Sequence, residues 1–364
     1  MNKLSKQRII ELLNKDIIPS RIPARIVSLF LKQLSLLLNS GISLDESLMI
    51  IKNQNMDRKL TKSLDNILGH LDKGFNAYEA FYKERKAFSP MLIAFIKSGD
   101  ESGRLADILS EYSDYLLVDS KNKSQIRQAF IYPAILLFVT IIVVVLIVSL
   151  VIPSFSESFA NYNMALPLMT RILLAISSFF MNYGLVFLLM IFALVLGYLY
   201  LYNSKDYRLR IDSFNFKYLP LKKFRMLRVE YELSSLLYIL RSGDINIISS
   251  IEIIRQAFLN TYIKRKLILI EKDLLDGRSL SYAFKGAGIF SKLLISMIEV
   301  GENSGDMVAS LKKTSEYFSN EYIYRLKKLS RLAEPVLILI MSIIVAFVVF
   351  SVTIPMFDSV NYLY

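Results

Sequence analysis

The chain carries the same passage twice, about 202 residues apart. Leu36-Leu-Leu-Asn-Ser-Gly41 matches Tyr238-Ile-Leu-Arg-Ser-Gly243. Ser47-Leu48 with Ile50-Ile51 matches Ser250-Ile251 with Ile253-Ile254, one residue displaced, and Gly74 with Ala80-Phe81 matches Gly277 with Ala283-Phe284. The longest stretch comes next and has no gap: Phe88-Ser-Pro-Met-Leu-Ile-Ala-Phe-Ile-Lys-Ser-Gly-Asp-Glu-Ser-Gly103 aligns with Phe290-Ser-Lys-Leu-Leu-Ile-Ser-Met-Ile-Glu-Val-Gly-Glu-Asn-Ser-Gly305, and eight of the sixteen positions are identical. Pro133 and Pro335 are 202 residues apart, as are Pro153 and Pro355, and Ile152-Pro-Ser-Phe155 matches Ile354-Pro-Met-Phe357. Chance does not hold one register over more than a hundred residues. A repeat this long means two copies of one folded module, and it constrains the architecture before any single motif does.

Each module ends in an apolar run. Hydrophobic residues make up 54% of the 364 and mean hydropathy is +0.41, above an ordinary soluble protein of this size. The excess sits in blocks. Gln128 to Ser156 is uncharged, as is Pro335 to Phe357, and each exceeds the roughly 20 residues that cross a bilayer. A third uncharged window, Ile172 to Ser204, is longer than one span needs. It divides into an interfacial helix over Leu166 to Tyr183 and a span over Gly184 to Tyr202, with Tyr198, Tyr200 and Tyr202 at a membrane–water boundary. This middle span lies outside the repeat and serves as the return crossing.

Charge orients the three spans. Up to Tyr132 there are 20 Lys/Arg against 15 Asp/Glu, and from Asn203 to Glu334 there are 23 against 15, whereas Ser154 to Asn182 holds one of each. The positive-inside rule places both basic blocks in the cytoplasm, the middle loop and the tail outside. The reverse orientation would translocate 43 of the 44 Lys and Arg residues. No basic stripe with interleaved aromatics suggests nucleic acid. Residues Met1 to Ile26 mix charge with short apolar runs and do not read as a secretory signal.

The polar blocks read as all-α. Leu60, Leu64, Ile67, Leu68 and Leu71 recur at helical spacing and Gly74 comes after them as a stop. Gly41 ends another helix, Ser43 with Glu46 forms a capping box for the next, and Asn76 with Glu79 resembles a second. About six short helices are expected per module, the last extending into the membrane. The resulting layout is a short segment 1–23, a helical module 24–130, a span 131–153, an external loop 154–182, a span 183–203, a second module 204–333, a span 334–356 and a tail 357–364.

Chemistry is nearly excluded. There is no cysteine and one histidine, His70, which removes disulfides, thiolate sites, most zinc chemistry and most general-base catalysis. Gly69-His-Leu-Asp-Lys-Gly74 has the glycine spacing of a phosphate loop, but Phe75-Asn76 stands where Lys-Ser/Thr is needed and no strand precedes it. Gly99-Asp-Glu-Ser-Gly103 and Gly301-Glu-Asn-Ser-Gly305 place Ser one position late for a nucleophile elbow. They read as helix–helix corners in which Gly99 and Gly301 sit at C-caps and Ser102 and Ser304 cap the next helix. Glu101 and Asn303 at these corners are also candidate contact positions. Pro133 and Pro335 are placed at the start of long helices, where a missing N–H is cheap or a kink is tolerated, Pro153 and Pro355 at span ends, and Glu334 at the membrane edge as a solvated or paired carboxylate. No charge lies inside a span, which argues against an ion path. A transporter and a membrane enzyme are the competing readings. The repeat is not an inverted membrane repeat, and no carboxylate site suggests turnover.

The ordered set of motifs resembles the type II secretion F-domain family of inner-membrane platform proteins, which serve type II secretion, type IV pili and competence pseudopili. It consists of Leu-Leu-x-Ser-Gly at Gly41 and its counterpart at Gly243, the corners ending at Gly103 and Gly305, Tyr132-Pro133 and Glu334-Pro335 before the spans, and Ile-Pro-x-Phe at their exits. The resemblance covers Ala24 to Phe357. Asp244-Ile-Asn246 departs from the pattern that Gly41-Ile-Ser-Leu44 keeps. The segment before Ala24 is short compared with many members and implies no separate leader function. The resemblance implies a non-catalytic platform without cofactor that engages a hexameric secretion or pilus ATPase, prepilins or pseudopilins and other inner-membrane assembly components. It also implies a homo-oligomer, a dimer, with no direct contact to nucleic acid.

Overall fold

A computed structural model describes residues 21–146, 205–218 and 222–361, with scattered positions between 168 and 202. Every element in the described residues is a helix. The first module contains α1 (Ala24–Asn39), α2 (Leu44–Asn53), α3 (Arg58–Leu71), α4 (Ala77–Lys83), α5 (Pro90–Ser102) and α6 (Leu105–Leu146). The second contains α7 (Lys205–Tyr218), α8 (Lys222–Ser242), α9 (Ile247–Ala257), α10 (Thr261–Leu275), α11 (Leu280–Ala287), α12 (Lys292–Ser304) and α13 (Met307–Asn361). The first module therefore has the six helices expected. The second repeats those six as α8–α13 and adds α7 ahead of them.

Local chemistry sets the boundaries. Gly41 and Gly74 adopt φ of +82° and +85°, a conformation that terminates α1 and α3 without a Cβ penalty. The Ser43 side chain accepts the Glu46 N–H at the start of α2. Asn76 and Glu79 form a full capping box: the Glu79 N–H donates to Asn76 Oδ1 at 2.8 Å, and the Asn76 N–H donates to Glu79 Oε2 at 3.3 Å. Ser89 and Ser291 cap α5 and α12 in the two modules.

Contacts group the residues up to Asn122 with Asp212–Tyr322 into one compact unit, and Lys123–Ile211 with Ile323–Tyr364 into another. The first unit holds both modules. In one, Phe30, Phe81 and Phe88 meet at ring separations of 6.2 and 5.4 Å, and Leu34, Leu64 and Leu92 of the same module are fully buried. In the other, Phe284 and Phe290 meet at 4.8 Å, and Leu237, Leu267 and Leu294 are fully buried. Each such side chain, buried fully, contributes about 1.5–3 kcal/mol of transfer free energy. Buried Asp212 on α7 accepts the N–H and hydroxyl of Thr261 at 2.8 and 2.6 Å, which ties α7 to the first turn of α10.

The second unit contains the apolar parts of α6 and α13. Both helices are long and apolar enough to cross a membrane. The expected middle span 183–203, the loop 154–182 and Pro153 lie largely or wholly outside the described residues. Two proline readings change. Pro133 and Pro335 stand well inside α6 and α13 rather than at helix starts, and α13 continues through Pro355 to Asn361. The helical backbone accommodates a missing N–H at these points, so the prolines interrupt one hydrogen bond each within a continuing helix instead of opening it.

Candidate partner interface

The seam between the modules starts at the corner after α5. Here the cap role expected of Gly99 and Gly301 falls to the later glycine of each corner. Gly103 and Gly305 are the C-caps, with φ of +70° and +71°. Gly99 and Gly301 lie one turn earlier, inside their helices, and are buried. A Cβ on Gly99 would stand 2.8 Å from Leu105 Cα, and one on Gly301 would stand 3.0 Å from Ser310 Cβ and 3.2 Å from Met307 Cα. The glycine thus lets the next helix cross close against the end of its predecessor. Ser102 and Ser304 close α5 and α12 and do not cap the succeeding helices. Asp306 caps α13, accepting the Ala309 N–H at 2.9 Å.

Gly243 also departs from its expected place. Gly41 donates its N–H to Leu38, and Ile42 donates to Leu37; in the second module the same two bonds are made by Asp244 to Arg241 and by Ile245 to Leu240. Asp244, at φ +58°, therefore occupies the left-handed position that Gly41 fills, and Gly243 takes the place of Ser40. Gly243 is needed for another reason. Its missing Cβ is where Ile108 of α6 packs, and a methyl there would lie 2.5 Å from Ile108 Cγ1.

Arg104, beside that contact, spans both modules. Its Nε donates to Asp107 Oδ2 at 3.1 Å and its Nη1 donates to Asp244 Oδ2. The Asp244 hydrogen bond, then that to Asp107, raises the pKa of Arg104 further above its usual value. Farther along α6, Glu111 Oε1 accepts the Tyr238 hydroxyl at 2.9 Å. Burial, then that hydrogen bond, pushes Tyr238 above the normal phenol range. Aromatic rings continue the seam: Phe95–Tyr112 at 4.6 Å, Tyr112–Tyr115 at 6.0 Å, Tyr115–Tyr231 at 5.8 Å and Tyr231–Tyr322 at 6.2 Å. Burial pushes the Tyr112 phenol up to about 12.

On the other side of the corner a groove of ≈630 Å³ opens between α5 and α9. Glu101 and Ser102 line it, together with Tyr78, Lys97, Asn246 and Glu252. Lys97 Nζ lies 3.8 Å from Glu101 and 5.6 Å from the Tyr78 ring centroid. The second corner is not brought to this groove. Asn303, Ser304 and Gly305 are exposed, while Glu302 turns inward and accepts the N–H groups of Leu280 and Ser281 at 2.5 and 3.2 Å. That carboxylate closes the N-terminus of α11 from 22 residues away. Sequence reading singled out Glu101 and Asn303 but missed Glu302, Arg104, Glu111 and Asp244. The departure of Asp244 from the repeat was the one available signal.

The arrangement is suited to contact rather than to turnover. The His70 ring packs edge-on against Phe75 at 5.6 Å. No group of three His, Cys, Asp or Glu among the described residues is placed to hold a metal ion. In the apolar unit, Pro133 is half-buried, and a groove of ≈570 Å³ runs between α6 and α13 past Tyr132, Leu136, Ile338 and Ser342. Glu334 and Pro335 lie in the helical backbone of α13.

Comparison with known proteins matches both halves of the chain. The family described as "Type II secretion system (T2SS), protein F" matches residues 30–153 and again 233–355. A "Type IV pilus assembly protein PilC" from Thermus thermophilus is 25% identical over 340 residues, covering 92% of this chain and 82% of that protein. A "Type II secretion system protein F" from Vibrio cholerae is 24% identical over 335 residues, with the same coverage. Another "Type IV pilus assembly protein PilC", from Pseudomonas aeruginosa, is 23% identical over 341 residues, covering 92% of this chain and 90% of that one.

Proposed function

The chain belongs to the type II secretion system protein F family, and on that premise we propose that it is the inner-membrane platform that couples a cytoplasmic ATPase to the assembly of pilin or pseudopilin subunits. One observation carries the reading. Each family-matched half contains a packed set of short helices and then a long one, α6 or α13, whose helical backbone is unbroken from the module into an apolar stretch. A part built this way needs no chemistry of its own and is not an enzyme. It receives force or conformational change at its modules and passes it along helices into the bilayer.

In this reading both modules face the cytoplasm, the chain crosses the membrane three times, and the C-terminus is external, as the basic blocks require. The groove beside Glu101, and the exposed corner at Asn303, are the surfaces offered to the ATPase and to other inner-membrane components. The exposed apolar faces of α6 and α13 are offered to the hydrophobic segments of prepilins and to a second copy of the chain.

The absence of cysteine supplies the test. Single cysteines are placed at Glu101 and Asn303 and crosslinked in intact cells. Capture of a hexameric ATPase at either position, or of a prepilin anywhere on the chain, is the expected result, and the prepilin's identity names the fibre. A whole-surface crosslinking survey that finds neither partner, alongside solute flux through the reconstituted protein, would replace the platform reading with a transporter.

A further inference from the structure

Both long helices carry a run of cations close to the point where they become apolar. Between Ser120 and Phe130, α6 bears Lys121, Lys123 and Arg127; between Tyr322 and Ala333, α13 bears Arg325, Lys327, Lys328 and Arg331. Neither stretch contains Asp or Glu, and one carboxylate, Glu334, stands between Arg331 and Pro335. A surplus of this kind is general beside membrane spans and assigns no site by itself. What goes beyond it is a groove of ≈330 Å³ between the two helices at this level. Lys327 and Arg331, at i and i+4 on one side of α13, stand on its rim. Gln125 and Gln128 of α6 bring amide groups from the opposite wall, and Ile126 and Leu326 supply its apolar surface. Ser330 leaves room, because its hydroxyl folds back to donate to Leu326 O at 3.0 Å. Lys327, Lys328 and Arg331 form no ion pair among the described residues.

The place of this groove along the two helices bears on its ligand. Arg331 precedes Pro335 by four residues and Gln128 precedes Pro133 by five, which at helical rise is about 6–8 Å. The headgroup layer on one side of a bilayer is about 5–8 Å thick. The cations thus stand where lipid phosphates lie, if hydrocarbon begins near the prolines. A second groove, of ≈570 Å³, lies farther along the same two helices, past Tyr132, Leu136, Ile338 and Ser342. A free phosphate has no use for that apolar channel. A molecule with an anionic head and an acyl chain matches both parts.

We propose that the α6–α13 groove is a binding site for an anionic phospholipid of the leaflet nearest residues 120–133. The phosphate is held by Lys327 and Arg331, the Gln125 and Gln128 amides donate to its oxygens, and one acyl chain runs along Tyr132, Leu136 and Ile338. Such a lipid fills the wedge between two helices whose packing would otherwise leave both polar and apolar space empty.

The test uses the full chain purified in a neutral detergent, with retained lipid counted by native mass spectrometry after addition of phosphatidylglycerol or phosphatidylcholine. Saturable retention of phosphatidylglycerol over phosphatidylcholine is expected, weakened about tenfold or more in K327Q/R331Q, since each lost cation near a phosphate weakens attraction several-fold. The substitution Ser330→Phe, which fills the groove and leaves every charge in place, is expected to weaken it as well. A K264Q/R265Q variant, altered on α10, is expected to retain lipid normally. Equal retention of the two lipids, or unchanged retention in K327Q/R331Q, would overturn the proposal. So would retention that survives Ser330→Phe, which would reduce the site to a diffuse basic collar. Displacement of the lipid by millimolar inorganic phosphate would assign the cations to a free anion instead.

Discussion

Asp244 holds the guanidinium of Arg104 across 140 residues of sequence, joining the turn of one module to the corner of the other. Asp244 is also the residue that breaks the repeat and one of two described non-glycine residues with a left-handed φ. An L-residue in that conformation is generally disfavoured by about 1–2 kcal/mol, less for Asp, whose short polar side chain tolerates it better than most. Here the Asp244 carboxylate meets Arg104, whereas Gly41, at the same place in the first module, has no side chain to make such a contact.

Asp244→Gly should remove the backbone strain while releasing the seam. Its melting temperature should equal or exceed that of the parent, yet amide hydrogen exchange at Ile245 and Asn246 should quicken. Arg104→Gln should quicken exchange at the same turn without raising the melting temperature. Both groups are exposed, so 1 M salt, which shortens the Debye length to about 3 Å, should produce part of the effect in the parent chain. Exchange unchanged in both variants would mean that the pair is incidental.

The corner glycines should respond in a fixed order. Gly99→Ala forces a Cβ against Leu105 Cα, a backbone atom that cannot swing aside, and overpacking of this kind costs about 1–3 kcal/mol. Gly103→Ala meets no atom within 4 Å and is penalised only for its left-handed φ, about 1–2 kcal/mol, with no clash added to it. Thermal unfolding in detergent should therefore show a larger loss for Gly99→Ala. The reverse order would return Gly99 to the cap role that sequence reading gave it.

Gly243 and Ile108 should be coupled. Gly243→Ala alone is expected to destabilise by about 1–3 kcal/mol, because the methyl enters the space of the Ile108 side chain. Combined with Ile108→Val, part of that loss should return, giving a non-additive double-mutant cycle. Additive losses would show that the seam relaxes without closing on Gly243.

Glu230 should make stability depend on pH. Its carboxylate is buried and accepts the Ser291 N–H at 2.5 Å, and burial raises its pKa above the usual 4.5. The fold therefore holds the proton more tightly than the unfolded chain does. The stability that this provides is fully present below pH 4.5 and is lost as pH rises through the raised folded pKa. Glu230→Gln, which keeps the acceptor and removes the titration, should flatten this part of the profile. Unfolding midpoints measured from about pH 4.5 to neutrality would show it, and parallel profiles for the two chains would refute it.

How much of this was legible depended on the range of each interaction. The stops at Gly41 and Gly74 and the Asn76–Glu79 box involve neighbours within a few residues, and they stand where the sequence placed them. The corner was found but misassigned: Gly99 and Gly103 look alike in sequence, and only the crossing of α6 over the end of α5 tells which is pinned by its neighbour and which by its φ. Glu302 was passed over because the N–H groups that it satisfies lie 22 residues back, beyond any capping motif.

The sequence by itself determined the two-module plan, the helical class, the apolar stretches and the family, because repeats, hydrophobic periodicity and charge-free runs are properties of the chain taken in order. The tertiary structure alone decided which face of one module meets the other: Gly243 on Ile108, Asp244 on Arg104, Tyr238 on Glu111. Both modules offer nearly the same pattern of apolar positions, so the pattern cannot choose between their faces. Close packing and partner charges make that choice, and both exist only once residues 100 or more apart in the chain have come into contact.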